Sequence, residues 1–306
     1  MPVSEFLRVS TTVSDLFQAE TFYRDAIGFT RAEERVIDDP AWARLMGLPA
    51  GSTARCLVVT LGAQEVELVS FDVPGRSYPE ARASNDPWFQ HIALVVDDIA
   101  AICEGLHRME TTPISIGGPQ LLPVNTGGVS AFKFRDPDGH PLELLYFPPG
   151  VGDLVWHGVQ DSKPRGYDHT AIAVGDIDRS IAFYADLLGF QVAGRSLNTG
   201  VEQDRLDGLS NTEVDVVGLA PADVPTPHVE LLHYRTPRFD GMNFDVAAND
   251  IASTRQVHRV DDLDGLAARL EGSGAVFVSP GVVTLDDGAR AAAVRDPDGH
   301  MIVLTE

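Results

Sequence analysis

The sequence has few cysteines and no long apolar run. Cys56 and Cys103 are its two cysteines, and both lie in apolar surroundings, so we expect buried free thiols rather than a disulfide. No apolar run reaches about 18 residues, so no transmembrane helix is expected. The first residues, MPVSEFLRVS, lack the basic and apolar regions of a secretory signal, and we therefore expect a cytoplasmic protein.

Basic residues are also scarce. Lysine and arginine number 23 against 45 acidic residues, which gives a formal net charge of −22. A surface this acidic repels phosphate backbones and anionic membranes, so neither nucleic acid nor a membrane is an expected partner. The 306 residues, 44% of them apolar, are enough for about two globular domains.

The chain contains an internal repeat. The hexapeptide RDPDGH occurs at 135–140 and at 295–300. Three more pairs match at a nearly constant separation, which predicts two copies of one unit, 1–150 and 151–306. These pairs are FYRDAIGF (22–29) with FYADLLGF (183–190), RLMGL (44–48) with RLDGL (205–209), and EVELVSF (65–71) with HVELLHY (228–234). A Gly- and Pro-rich stretch, 148–166, is the predicted linker.

Each half repeats again within itself. An alternating apolar strand ends in Asp and leads into an amphipathic helix, and strand-like runs follow. This pattern predicts an α+β fold of four strand–helix–strand–strand–strand modules at 4–75, 88–148, 166–236 and 252–306. The predicted helices are 15–26, 98–109, 177–188 and 262–272. In RDPDGH, Pro and Gly are typical of a turn, so His140 and His300 are predicted to be turn residues.

The four modules, the FYRDAIGF/FYADLLGF pair and the DPDGH turn resemble the vicinal oxygen chelate superfamily, which includes glyoxalase I, epimerases, extradiol dioxygenases and bleomycin-binding proteins. The resemblance covers essentially the whole chain. It implies two pseudo-symmetric domains with curled mixed sheets that enclose a metal. It also implies metal ligands on the first and last strand of each module, usually a His and a Glu.

The residues at these ligand positions differ between modules. Modules two and three keep both ligand types, while modules one and four keep one of four. In chain order the positions are Arg8 and Glu67, His91 and Glu143, His169 and Glu230, and Arg255 and Val303. If modules pair within each half, both sites are poor. If modules two and three pair, one complete site forms, and Arg8, Glu67, Arg255 and Val303 form a degenerate second site, so we prefer this arrangement.

Two imidazoles and two carboxylates suit one divalent metal ion, such as Zn, Ni, Co, Mn or Fe. Alternation along the last strand of module three places Tyr234 on the face of Glu230, so Tyr234 is a candidate substrate contact as well as a candidate core residue. His233 is predicted to point away. The segments 35–56 and 195–213 are predicted to cover the cavities. In the degenerate site, we expect Arg8 and Arg255 to neutralise Glu67 in place of a metal.

The resemblance leaves three functions open. The first is a metal-dependent isomerase or lyase in which Glu143 or Glu230 moves a proton beside a metal-bound carbonyl. The second is a non-haem Fe(II) ring-cleaving dioxygenase, which uses two His and one Glu. The third is a metal-free protein that binds a small molecule or antibiotic, with Trp42 or Trp156 as aromatic surfaces. Each implies a small-molecule ligand, and a four-module chain can complete its site as a monomer or a homodimer.

Overall fold

The computed structural model describes residues 3–109, 111–157, 164–221, 226–239 and 245–306. The middle of the predicted linker, 158–163, lies outside the described residues. Modules one and two contain β1 (Val3–Thr12), α1 (Leu16–Phe22), β2 (Thr30–Ile37), α2 (Pro40–Leu45), β3 (Ala54–Leu61), β4 (Gln64–Phe71), β5 (Gln90–Val95), α3 (Ile99–Arg108), β6 (Thr112–Pro113), β7 (Gln120–Leu121), β8 (Ser130–Arg135) and β9 (Pro141–Tyr146).

Modules three and four repeat this order. They contain β10 (Gly166–Ala173), α4 (Ile177–Ala182), β11 (Gln191–Thr199), α5 (Val201–Asp207), β12 (Glu213–Ala220), β13 (His228–Thr236), β14 (Thr254–Val260), α6 (Leu263–Ser273), β15 (Val276–Phe277), β16 (Val283–Thr284), β17 (Arg290–Arg295) and β18 (Met301–Thr305). The four βαβββ modules expected from the sequence are confirmed.

The predicted helices begin at the aspartates that end the first strands. Asp15, Asp98, Asp176 and Asp262 each accept a hydrogen bond from the backbone N–H three residues later, which satisfies an orphan donor of the first turn. Helices α1 and α4 continue as single π-helical segments, Tyr23–Ile27 and Phe183–Leu187. The helix predictions at 98–109 and 262–272 match α3 and α6 to within one residue at each end.

The modules pair across the two halves of the chain. The central sheet has the strand order β11-β12-β13-β10-β5-β9-β8-β6, and the outer sheet has the order β15-β17-β18-β14-β1-β4-β3-β2. Strand β5 runs antiparallel to β10 in the central sheet, and β1 runs antiparallel to β14 in the outer sheet. Modules two and three therefore share one sheet, and modules one and four share the other.

Strand register verifies which positions are equivalent. In every module the last strand lies parallel to the first. The predicted ligand position on the last strand pairs with the residue two positions after the predicted ligand position on the first strand. These pairs are Ser10–Glu67, Ala93–Glu143, Ala171–Glu230 and Val257–Val303. The eight positions aligned from the repeat are thus equivalent in three dimensions.

The two sheets share one core. A continuous cluster of buried apolar side chains includes Val9 and Leu68 of the outer sheet, Leu94 and Ile172 of the central sheet, and helical residues such as Phe22. The opposite face of each sheet is left for a separate set of side chains. On the outer sheet this second face is filled by an apolar cluster, and on the central sheet it carries the site described below.

The RDPDGH turns join modules as well as strands. Gly139 and Gly299 have φ of 100° and 99°, the left-handed conformation that glycine adopts without strain. His140 Nε2 lies 2.6 Å from the Ile251 carbonyl, and His300 Nε2 lies 2.8 Å from the Ala173 carbonyl. Each turn therefore contacts the module of the other sheet, and both histidines are structural, as the sequence predicts.

One other expectation is met in the described chain. Cys56 and Cys103 are buried free thiols. Within the residues that the structure describes, no helix is long and apolar enough to cross a membrane.

Candidate metal centre

Four predicted ligands lie together on the second face of the central sheet. His91 Nε2 is 2.9 Å from Glu143 Oε2, and His169 Nε2 is 3.8 Å from the same oxygen. Glu230 Oε2 lies 3.4 Å from His169 Nε2. His91, Glu143 and His169 are buried, and the Glu230 side chain is 23% exposed. Strands β5, β9, β10 and β13 thus bring both halves of the chain into one site.

His169 is oriented by its neighbour Asp168. Its Nδ1 lies 3.1 Å from Asp168 Oδ2, while Trp156 Nε1 donates to Asp168 Oδ1 at 2.7 Å. A break in strand register between Tyr167 and His169 accompanies this arrangement. A carboxylate on one ring nitrogen fixes the tautomer and directs the other nitrogen toward a ligand. His169 Nε2 is accordingly the nitrogen that faces Glu143 and Glu230.

His228 extends the cluster beyond the predicted set. Its Nε2 lies 3.6 Å from Glu230 Oε1, and its Nδ1 lies 3.8 Å from Asp168 Oδ2. Ligand atoms of Asp168, His169 and His228 lie within 4.8 Å of one another, as do those of His91, Glu143 and His169. Glu230 is therefore held between two imidazoles, beside the tighter group that contains Glu143.

Burial and neighbouring charge act on these groups in opposite directions. Burial lowers the pKa of His91, and Glu143 offsets this only in part. Burial would also lower the pKa of His169, but Glu230, Asp168 and Glu143 raise it to about 10. Burial would raise the pKa of Glu143, yet Lys133, His91 and His169 hold it well below its usual value. Glu143 is therefore an ionised carboxylate in a buried site.

The donor set fits a divalent metal. Among the described residues, no group makes a hydrogen bond of good geometry with either ring nitrogen of His91 or with His169 Nε2, although His91 Nε2 lies 2.9 Å from Glu143. A buried polar atom without a partner costs about 1–3 kcal/mol, and a metal ion would satisfy one nitrogen of each histidine. Zn, Fe, Ni, Co and Mn accept neutral imidazoles together with carboxylates, so a bound metal would take the place of the proton that the raised pKa gives to His169.

The site opens into a cavity of about 430 Å³, within the size range of small-molecule sites. Its wall includes Arg195, Gln203 and Leu206 from the segment 195–213, which the sequence predicts as a cover. Tyr234 lines the same cavity and is buried, so its side chain lies where a substrate could touch it. His233 instead lies 3.2 Å from Asp215 and is not among the lining residues.

A buried ion pair supports this wall, which Lys133 lines. Lys133 Nζ of β8 donates to Asp207 Oδ1 at the end of α5, at 2.7 Å. Both side chains are essentially inaccessible to solvent, and Lys133 stands beside Glu143 in the register of β8 and β9. Burial would lower the pKa of Lys133, but Asp207 and Glu143 raise it, so the amine carries its charge.

Sequence reasoning missed several of these residues. His228 stands two positions before Glu230, so strand alternation could have placed it on the same face. Lys133 and Asp207 differ from Ala293 and Met46 of the other copy, a contrast visible in the repeat itself. No sequence pattern indicated Asp168, because simple alternation along the strand turns the neighbour of His169 to the opposite face.

The degenerate site is filled by ion pairs and apolar side chains. Glu67 pairs with Arg35 at 2.8 Å and with Arg8 at 3.6 Å. The charge of Arg255 also helps to lower the pKa of Glu67, but this guanidinium makes its hydrogen bonds elsewhere. The buried guanidinium donates to Ser10, Thr12, Ser253 and the Ala248 carbonyl, because neutral hydroxyl groups stand closer to it on β1. Val303 and Trp42 pack in the apolar cluster on this face, so Trp42 offers no open surface.

Comparison with known proteins places this geometry in context. The family model of the Glyoxalase/Bleomycin resistance protein/Dioxygenase superfamily matches residues 6–144 and 166–304. Lactoylglutathione lyase GLX1 of Arabidopsis thaliana is 25% identical over 61% of this chain and 55% of its own length. A 2-epi-5-epi-valiolone epimerase of Actinomyces sp. is 29% identical over 52% of this chain and 87% of its own.

Solved structures show the same fold. Glyoxalase I of Zea mays superposes with a TM-score of 0.65 at 18% identity, and the match covers 99% of this chain and 92% of that protein. At this identity the likeness concerns the fold alone. The two proteins therefore share their fold over nearly their whole lengths.

Proposed function

Because the chain belongs to the Glyoxalase/Bleomycin resistance protein/Dioxygenase superfamily, we propose that it is a metal-dependent isomerase or lyase that moves a proton beside a carbonyl group of a small molecule. The observation that carries this proposal is the buried cluster of His91, Glu143, His169 and Glu230, with unpartnered imidazole nitrogens, in a cavity of about 430 Å³. The names of two relatives, a lyase and an epimerase, support the same class of reaction.

The residues divide into metal ligands and a base. His91, Glu143 and His169 form the tight group and would hold the metal, with Glu230 as a fourth ligand that can leave. When bound, a divalent metal polarises the substrate carbonyl and so acidifies the neighbouring C–H bond. Glu230, the most exposed of the four, is the better placed carboxylate to reach a substrate, while Glu143 touches His91 inside the cluster.

The proton step needs no further reactant. The Glu230 carboxylate takes the proton as the C–H bond breaks, and the bonding electrons pass to the carbonyl oxygen. The same carboxyl group then returns the proton to the neighbouring carbon, while the hydroxyl proton of a hydroxyketone substrate passes to the former carbonyl oxygen. His228, 3.6 Å away, holds Glu230 in place through its Nε2. All these side chains come from one chain, so one copy completes the site.

Proton exchange tests the proposal directly. In D₂O, metal-loaded protein should place deuterium on the carbon next to the carbonyl of a small α-hydroxyketone. The loss of the proton NMR signal of that C–H group measures the exchange. Glu230→Gln should keep the metal and lower the exchange rate by about 10²–10⁴-fold, because an amide cannot accept the proton. Exchange that is equally fast in Glu230→Gln would contradict the role of this carboxylate.

One observation favours a second function, that of an Fe(II) ring-cleaving dioxygenase. The tight group consists of two histidines and one glutamate, the ligand set that leaves one side of an iron open for oxygen and substrate. Oxygen uptake with catechols by iron-loaded protein, without proton exchange on ketones, would favour this function.

A further inference from the structure

Three polar residues on the cavity wall, and Asp207 behind them, have apolar counterparts at equivalent positions of the outer sheet. Lys133 lies opposite Glu143, as Ala293 lies opposite Val303. Tyr234 stands four residues after Glu230, as Phe71 stands four residues after Glu67, and the RLDGL and RLMGL segments align α5 with α2. The resulting pairs are Lys133 with Ala293, Asp207 with Met46, Gln203 with Trp42, and Tyr234 with Phe71.

The fold does not require these polar groups. In the outer sheet, Trp42 stacks on Phe71 with ring centroids 5.5 Å apart, and Met46 and Ala293 pack in the same buried cluster. A buried ion pair is often no more stabilising than well-packed apolar residues of similar volume. The polar set is found on the sheet that holds the histidine and glutamate cluster, which associates it with that site.

Part of this polar set has no partner within the described chain. Asp207 uses both carboxylate oxygens, because Lys133 Nζ donates to Oδ1 and Gln203 Nε2 donates to Oδ2, each at 2.7 Å. Gln203 Oε1 is buried, lines the cavity and accepts no hydrogen bond. Tyr234 Oη is buried on the same wall near the Asp207 carboxylate, whose two oxygens already accept from Lys133 and Gln203, and it makes no hydrogen bond of good geometry. One free acceptor and one free donor therefore face the same space, beside an ammonium group with further N–H donors.

The charge of the set restricts the group that it can bind. Lys133 and Asp207 neutralise each other, so the set offers no free charge to a phosphate or a carboxylate. A hydroxyl group is neutral and is both donor and acceptor. It can donate to Gln203 Oε1 and accept from Tyr234 Oη or Lys133 Nζ at the same time.

We propose that Gln203, Tyr234 and Lys133 form a subsite for a hydroxyl group of the substrate, and that the substrate is a neutral hydroxylated ketone. Asp207 is a positioning residue that holds Lys133 and Gln203. This inference rests on the proposed function, because it assigns the ketone end of the substrate to the histidine and glutamate cluster. Tyr234 then acts as a substrate contact through its hydroxyl group.

Two ketones with the same carbon skeleton test the subsite. Erythrulose, as both enantiomers, carries hydroxyl groups that 1-hydroxy-2-butanone lacks. We expect metal-loaded protein to bind one erythrulose enantiomer about tenfold more tightly than 1-hydroxy-2-butanone in calorimetric titrations. Tyr234→Phe and Gln203→Met should each reduce the ratio of the two affinities about threefold. The double variant should bind both ketones about equally.

Metal content separates the two proposals. All these variants, and the control Phe71→Leu at the counterpart of Tyr234, should hold as much metal as the wild type by mass spectrometry, and the control should keep the tenfold ratio. Equal binding of the ketones by the wild type, binding of neither, or an unchanged ratio in the double variant would overturn the hydroxyl subsite and leave the metal centre intact. Absence of bound metal in every protein would overturn the proposed function and this inference with it.

Discussion

At the scale of single residues, two substitutions decide what each sheet can bind. His169 and Arg8 occupy equivalent positions, as do His91 and Arg255. An imidazole has a lone pair to give to a metal, whereas a guanidinium has only donors. The outer sheet accordingly holds Glu67 in ion pairs with Arg35 and Arg8, and the central sheet keeps nitrogens without partners.

Glu67 should matter for stability and not for metal content. We expect Glu67→Ala to lower the free energy of unfolding by about 2 kcal/mol, because the partly buried Arg8 and Arg35 lose a charged partner. Glu65→Ala, at an exposed partner of Arg8, should change it by less than about 0.5 kcal/mol. Urea denaturation measures both. Loss of metal from Glu67→Ala would show that the outer sheet belongs to the metal centre.

His258 should make the fold sensitive to acid. It is fully buried between the rings of Phe6 and Phe190, with Nε2 on Gln256, and burial lowers its pKa to about 3. In the unfolded chain the pKa is about 6.5, so below that pH the unfolded state binds a proton that the native state refuses. Stability is full above about pH 6.5 and falls toward pH 3.

His258→Gln isolates this effect. Between pH 7 and pH 5 the wild type should lose about 2 kcal/mol more unfolding free energy than the variant. Urea denaturation at the two pH values measures the difference. Equal losses of unfolding free energy in the two proteins would mean that the pKa of His258 is the same in the native and the unfolded state.

At the scale of elements, the sequence predicts the long amphipathic helices and not the short covering ones. Helices α3 and α6 follow from apolar periodicity and an N-cap aspartate. Helices α2 and α5 span six and seven residues, too short for periodicity to distinguish them from loops. Asp207 is the last residue of α5 and Met46 directly follows α2, so the character of each site depends on elements that the pattern did not reveal.

Exchange of the wall residues should show coupling between β8 and α5. Lys133→Ala and Asp207→Met should each lower the free energy of unfolding by about 3–5 kcal/mol, because each leaves one buried charge without its partner. The double variant reproduces the Ala293 and Met46 of the outer sheet and should recover most of that loss. Denaturation midpoints of the three variants measure this. If the double variant lost as much unfolding free energy as the two single variants together, the equivalence of the two walls would be contradicted.

At the scale of the whole molecule, the repeat predicts the equivalent positions, and ligand chemistry predicts the pairing. Only the combination of modules two and three brings two histidines and two glutamates together, and the strand order agrees with it. The division of the chain at residue 150 describes the repeat, whereas each sheet takes modules from both halves. Alternation from Glu230 could have indicated His228, whereas Asp168 depends on side-chain placement around that shared sheet, so the sequence could not assign it.

The measurement that tests the central claim most directly is the metal content of the purified protein by mass spectrometry, with His169→Ala and Arg8→Ala beside the wild type. These residues occupy the same position in the two sheets. We expect about one divalent metal ion per chain in the wild type and in Arg8→Ala, and a loss of most of it in His169→Ala. Wild-type protein without metal after reconstitution, or equal metal in all three proteins, would contradict a single metal centre on the central sheet.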